Sequence, residues 1–482
     1  MRRDLWILVL TCLVSVLAGA GRGQSAVGDS VVKEPWVDVR AYASFPAAVT
    51  GLGATNTTLV VANAQTLTTN LTIPPNISLV ILKGGMITGE GTNCALAING
   101  PFQAGLYQVF AGSAVVTFGA GTVMEVYPEW WYAGSGSWHM AFQKAVNSTS
   151  VRVQLAGRAY DLTDEVVFNH KGSMQMMGQP GTVLYFDPTD DGVDGKVLLN
   201  CTRYQQPIYG PVFKNFSITV HGSNKKKIAI RITDACGGTI ENIGIINWMG
   251  NGSIGLQLRG RHMLTVGKIT ISADRPVVVE QDAGLWEYDL TGLEYCRFYD
   301  TYLVARDPNR NVFDVESNMQ ACIIDGFNAW SGGMNGFYYP AAFPGNDFKL
   351  SNIWWDSPGP LSGNGGYFIY VREMNNQPSL KIALENLHTG GPANGYLISG
   401  AAKLSVNDCD YLGGGTGISL ESCNFATLNN NDIRGTLFVT GMQEMLKVAD
   451  PASTGLPHFV IYQKKGAIQY KTPRWAAERF KE

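Results

Sequence analysis

The chain has 482 residues and a formal net charge of −3, with 16% charged against 45% apolar residues. Near-neutral charge excludes a nucleic-acid binder working by bulk positive charge, and the apolar share excludes a long disordered chain. The 56 glycines and 21 prolines exclude a bundle of long helices and suit many short strands joined by turns.

The first segment reads as an address. Arg2 and Arg3 give a positive start, Leu5 to Val16 is an apolar run, and Ala18-Gly19-Ala20 is a small-residue cleavage site. This pattern predicts a secretory signal peptide over residues 1–20, and so an extracellular or periplasmic protein. The run is too short to cross a bilayer and no later stretch is long enough, so no membrane span is expected. Residues 21–50 read as a leader. Residues 51–127, rich in Thr, Val and Ile, read as a small N-terminal β module, with Leu79-Val80-Ile81-Leu82 and Ala95-Leu96-Ala97-Ile98 as strands. Residues 128–440 read as the main body. Near its start, Trp138 to Val146 is helix-compatible and suits a cap over an open sheet edge. Residues 441–482 read as a second cap, ending in a charged tail from Trp475 to Glu482.

The main body repeats itself. An apolar residue, two residues often including Asn, and then alternating apolar and polar residues recur. Examples are Phe213-Lys214-Asn215-Phe216-Ser217-Ile218, Ile240-Glu241-Asn242-Ile243-Gly244-Ile245 and Leu350-Ser351-Asn352-Ile353-Trp354-Trp355. The third position falls at 215, 242, 268, 295, 352, 386, 408 and 430, with Ile324-Asp325-Gly326-Phe327 filling the widest gap. Short strands at such a period, without amphipathic helices between them, predict a parallel β-helix whose coils stack about 4.8 Å apart. Asn suits the bends because it tolerates left-handed backbone angles. In this alignment Ile245, Ile271 and Phe298 stack as successive layers.

The run Val151-Arg152-Val153-Gln154-Leu155-Ala156-Gly157-Arg158-Ala159-Tyr160-Asp161-Leu162 resembles the opening coil of right-handed β-helix proteins of the pectate-lyase superfamily. Met177-Gly178-Gln179-Pro180-Gly181-Thr182-Val183-Leu184 and Glu125-Val126-Tyr127-Pro128-Glu129-Trp130-Trp131 are similar to it as well. The resemblance implies an all-β, right-handed parallel β-helix that takes long acidic or neutral glycans. It carries over no catalytic residue. Ala133-Gly134-Ser135-Gly136 stands where many members have acids, and the paired-acid and Gly-His-Gly signatures of the hydrolases are missing as a set.

Strand alternation lays out one outward face. It gathers Trp248, Tyr299, Trp330 and Trp354, which suit stacking against sugar rings, with Asp356 as a binding acid. Asp274 and Asp300, one coil apart, are the candidate acid pair for hydrolysis, or for binding a calcium ion. Arg297 is the candidate to neutralise a uronate carboxylate during β-elimination. The six His and the seven Cys beyond the leader show no metal-ligand spacing, and the cysteines read as small buried apolar residues. The expected function is therefore recognition of a polysaccharide, with cleavage by hydrolysis or β-elimination. A non-catalytic adhesion module or a tailspike-like glycan binder is the alternative, as a monomer or homotrimer.

Overall fold

The computed structural model describes residues 36–471, except 92–93, 150, 170–173, 191, 193–194, 203–207, 223, 261–262, 281–292, 330–333, 341–346, 356–365, 373–379, 390–393, 413–415, 434–435, 441–444, 450–459 and 465–466. The expected signal peptide and the Trp475–Glu482 tail lie outside these residues. The repeated motif explains the architecture. A straight strand sends alternate side chains to opposite faces, so two adjacent polar residues between apolar ones cannot both point out. A left-handed residue at the second polar position resets the alternation and bends the strand. Asn215 (φ 65°), Asn242 (55°), Lys268 (50°), Asp300 (48°), Asn352 (53°), Asn386 (53°), Asp408 (54°) and Asn430 (52°) all take that conformation, as does Gly326 (74°). Strand register places these residues level with one another from coil to coil.

Side-chain amides tie the bends together. Asn242 Nδ2 donates to Asn215 Oδ1 (3.0 Å), Asn386 Nδ2 to Asn352 Oδ1 (2.6 Å) and Asn430 Nδ2 to Asp408 Oδ1 (2.6 Å). The outcome is an all-β parallel β-helix. Among the described residues, one sheet of 19 strands carries a limb on each side of this bend, and an 11-stranded sheet forms another face. One buried apolar cluster runs from Val39 to Leu446, and a smaller one gathers Val197, Ile228, Ile254 and Val278.

Ile218, Ile245 and Ile271 do stack as layers, but the next layer in that column is Leu303, and Phe298 lies between Val266 and Ile324. The expected step from 268 to 295 is thus a step from 268 to 300. The additional chain is accommodated in the connection between the strands Arg275–Glu280 and Leu293–Glu294, so coil length is set outside the ladder.

The N-terminal β module has the same architecture on a smaller scale. Its strands form three parallel sheets, with Leu59 over Leu79 over Phe102 on one face, Ala64 over Met86 on the second and Leu71 over Leu96 on the third. Glycine takes the place of Asn at its tight positions. A Cβ on Gly112 (φ 70°) would come within 2.1 Å of the Gly89 carbonyl oxygen. Part of the expected leader belongs to this module. Trp36–Asp38 pairs with Thr57–Val61, and helix α1, Phe45–Leu52, buries Phe45, Ala48, Val49 and Leu52 at its mouth.

The ends of the main body are closed in two ways. Helix α2, His139–Ser148, packs Phe142 against Tyr160 (5.2 Å between rings). Its Gln143 accepts from Val167 N (2.8 Å) and donates to Val167 O (2.9 Å), standing in for a neighbouring strand. At the far end Met445–Ala449 is the last parallel strand, and Val460–Lys464 and Ala467–Lys471 join antiparallel. Among the described residues no helix is long and apolar enough to cross a membrane.

Replacing Asn386 by Val forces a β-branched residue into the left-handed region and removes the amide ladder, so it should destabilise the fold by about 1–3 kcal/mol. Asn386→Gly keeps the backbone conformation available and should cost less. Urea midpoints of the two variants give the comparison.

Candidate functional site

The structure separates the residues expected to act together. Trp248 is fully buried, stacked on Phe186 (6.0 Å between rings), with Nε1 donating to Lys227 O (3.2 Å). Asn247 before it is also left-handed (φ 57°), which resets the alternation a second time and turns Trp248 inward. It is therefore not a stacking surface for a sugar. Asp274 is buried as well. Its Oδ2 accepts from Gly250 N (2.8 Å), Gly252 N (3.1 Å) and Ser253 N (3.3 Å), so it caps the turn one coil below.

Asp300 is exposed and occupies the left-handed ladder position level with Lys268, whereas Asp274 follows the strand Thr270–Ala273. About 20 Å of extended chain separates those levels. The pair is too far apart for the two-carboxylate geometry and cannot share one cation. Trp330 and Asp356 lie outside the described residues.

Arg297 and Tyr299 do face outward, on the limb before the bend. A Cβ on Gly267 would come within 2.1 Å of Tyr299 Cζ, so this glycine is what lets the tyrosine ring lie flat on the sheet. The Tyr299 hydroxyl donates to Glu241 Oε1 (3.2 Å), and Lys214 Nζ sits 2.9 Å from Glu241 Oε2. These contacts hold the Glu241 carboxyl below its ordinary range. The Arg297 guanidinium lies 5.7 Å from the Tyr299 ring centre and 4.0 Å from Asp325 Oδ2.

Trp354 is the most exposed of the expected aromatics among the described residues, with 56% of its surface open. It sits on the second limb, opposite His388 of the next coil, with ring centres 5.3 Å apart. His388 is held from both sides. Nδ1 lies 2.7 Å from Asp410 Oδ2, and Nε2 lies 2.8 Å from Asn386 Oδ1. The amide ladder orients that oxygen, because Asn386 Nδ2 is already donating to Asn352. Asp410 is fixed in turn by Thr389 N, which donates to its Oδ1 (3.0 Å). An exposed indole thus lies beside a histidine with no free rotation and a carboxylate that is only partly covered.

A second cluster sits on the outer face of the 11-stranded sheet. Arg275 Nη2 is 2.9 Å from Asp314 Oδ2 and 2.5 Å from Glu316 Oε1. Asp314 is buried, Glu316 exposed. Desolvation raises the Glu316 carboxyl above its ordinary range, Arg275 works against this, and Asp314 adds to the rise. In the next two coils Tyr338 follows Asp314 and Tyr370 follows Tyr338, their rings stacked 5.0 Å apart. Glu280 bonds Gln257 (2.8 Å) and Arg259 (2.9 Å) close by. The alternation of Phe313-Asp314-Val315-Glu316 is visible in the sequence. It belongs to a different strand of the coil from the repeated motif, so following the motif alone passes it by.

Among the described residues no three His, Cys, Asp or Glu side chains converge as a metal site. Of the seven cysteines beyond the leader six are buried, as small core residues. Burial pushes the Cys423 thiol up to about 11. No family model, curated protein or solved structure matches the chain.

Two measurements check these roles. Asp274→Ala leaves three backbone donors without their acceptor and should cost about 1–3 kcal/mol in unfolding experiments. Glu316 holds its proton more tightly folded than unfolded. Its stabilising contribution is therefore present below the unfolded value of about 4.3 and is lost as pH rises through the folded value. Glu316→Gln should raise the thermal midpoint relative to the parent protein at pH 7 and leave it nearly unchanged at pH 4.

Proposed function

We propose that the protein is an exported glycan-binding β-helix, related in design to the pectate-lyase superfamily, and that it holds a polysaccharide on the outer face of its long sheet. The Trp354 platform supports this reading most directly. Beyond its contact with His388 the half-open indole leaves a flat apolar face in water, which suits the axial C–H face of a pyranose. His388, Asp410 and Asn386 beside it offer fixed polar groups to ring hydroxyls. Rigid sheet geometry lowers the ordering cost of such a contact.

Glycan arrays followed by calorimetry on the purified full chain test the proposal. Trp354→Ala should weaken binding by about 0.5–1.5 kcal/mol, up to roughly tenfold in Kd. Unchanged affinity, or the absence of any glycan ligand, refutes it.

Glu316 favours a second reading, in which the bound chain is also cleaved. An exposed carboxyl with a raised affinity for its proton is suited to protonating a leaving glycosidic oxygen, and the stacked Tyr338 and Tyr370 offer a surface for the sugar. Under this reading Glu316→Gln abolishes the appearance of reducing ends and leaves binding in place. If the parent protein releases neither reducing ends nor unsaturated uronates from a polysaccharide panel, the protein is a binder alone.

A further inference from the structure

The first limb of the long sheet carries a groove of about 510 Å³ near the C-terminal end. Its floor is made by short side chains at outward positions, Ala321, Ala383 and Ser405, between longer neighbours. Lys381 and Lys403 rise from it on adjacent parallel strands, directly opposite each other in register. At a strand spacing of about 4.8 Å, like charges so placed destabilise a sheet.

Among the described residues neither lysine is held in an ion pair. Lys349, also in the groove, is taken by Glu385 at 2.5 Å. Asp347 lies opposite Lys381 with its Oδ1 accepting from Ala321 N (2.8 Å), so the lining sets three lysines against a single acid. Among the described residues no carboxylate comes within ion-pair distance of Lys381 or Lys403. One coil further, Phe425 sits opposite Lys403 with 40% of its surface exposed. Two lysines opposed in register, a serine at an outward position and a partly exposed aromatic residue therefore share this stretch of the limb.

We propose that this groove is an oxyanion subsite, which binds a carboxylate or sulfate-ester substituent of a glycan between Lys381 and Lys403 while the sugar ring rests on Phe425. An anion bridging the two lysines turns their repulsion into two charge-assisted hydrogen bonds. The inference rests on the glycan-binding reading for its ligand, but it uses a different limb and different residues from the Trp354 platform.

The test compares dextran, dextran sulfate and polygalacturonate against the full-length protein, Lys381→Gln/Lys403→Gln, Lys381→Arg/Lys403→Arg and Trp354→Ala. Binding to dextran sulfate or polygalacturonate should weaken at least about tenfold in the Gln variant and become less salt-dependent, while the Arg variant keeps it. The polymer that responds identifies the substituent. A thermal-shift series with inorganic sulfate adds a readout independent of any polymer: the parent protein should gain more than the Gln variant, which should itself be the more stable in low salt. Equal polyanion binding by the parent and Gln proteins, or equal response to sulfate, overturns the subsite. If Trp354→Ala still loses affinity in that case, the glycan-binding reading survives it. If the parent protein binds neither dextran sulfate nor polygalacturonate, the subsite is overturned, and the glycan arrays then decide the glycan-binding reading by themselves.

Discussion

The left-handed residue at each corner from Asn215 to Asn430 is the constraint on which the main body depends. Without it a strand cannot turn while keeping its apolar residues on the inside, and the stack has no corner. Asn meets the demand at Asn215, Asn242, Asn352, Asn386 and Asn430, because its short amide makes the conformation tolerable and reaches the coil below. Lys268 and Asp300 hold the same position without an amide, which shows that the stacked neighbours impose the bend and the residue type only eases it.

Everything on the surface inherits its position from that corner. The amide chain from Asn352 to Asn386 ends on His388, so the frame of the fold also orients a side chain of the candidate binding platform. Gly267 acts similarly, by making room for the Tyr299 ring. Stability is shared among neighbours. Each coil buries its apolar edge only against the coils above and below, so the continuous interior from the N-terminal module onward makes one cooperative stack of two apparent parts.

The β-helix was legible because its defining feature is a residue type at a regular interval. The repeat at 215, 242 and 268 carries the bend, and the layers Ile218, Ile245 and Ile271 follow from it. What was not legible has local causes. The long connection before Leu293 displaced the alignment, so that Phe298 and Arg297 took the places of Leu303 and Tyr302 in the expected columns. Asn247 hid a second reset of alternation, and with it the burial of Trp248. Asp274 looked like a solvent-facing acid because its three partners are backbone amides, which sequence does not mark. The N-terminal module hid its kinship because glycine, not Asn, makes its turns. His388 with Asp410, and Arg275 with Asp314 and Glu316, are contacts between coils and become visible only once the register is known.

The unequal spacing of the ladder residues has a practical side. The step from Lys268 to Asp300 is longer than the step from Asn242 to Lys268, yet the strands on both sides of the bend keep Asn242, Lys268 and Asp300 level with one another. Such a scaffold tolerates segments of very different size spliced between its faces, much as a bookshelf tolerates volumes of different depth. Variation in size is thus taken up between the faces and leaves the stacking of the strands as it is.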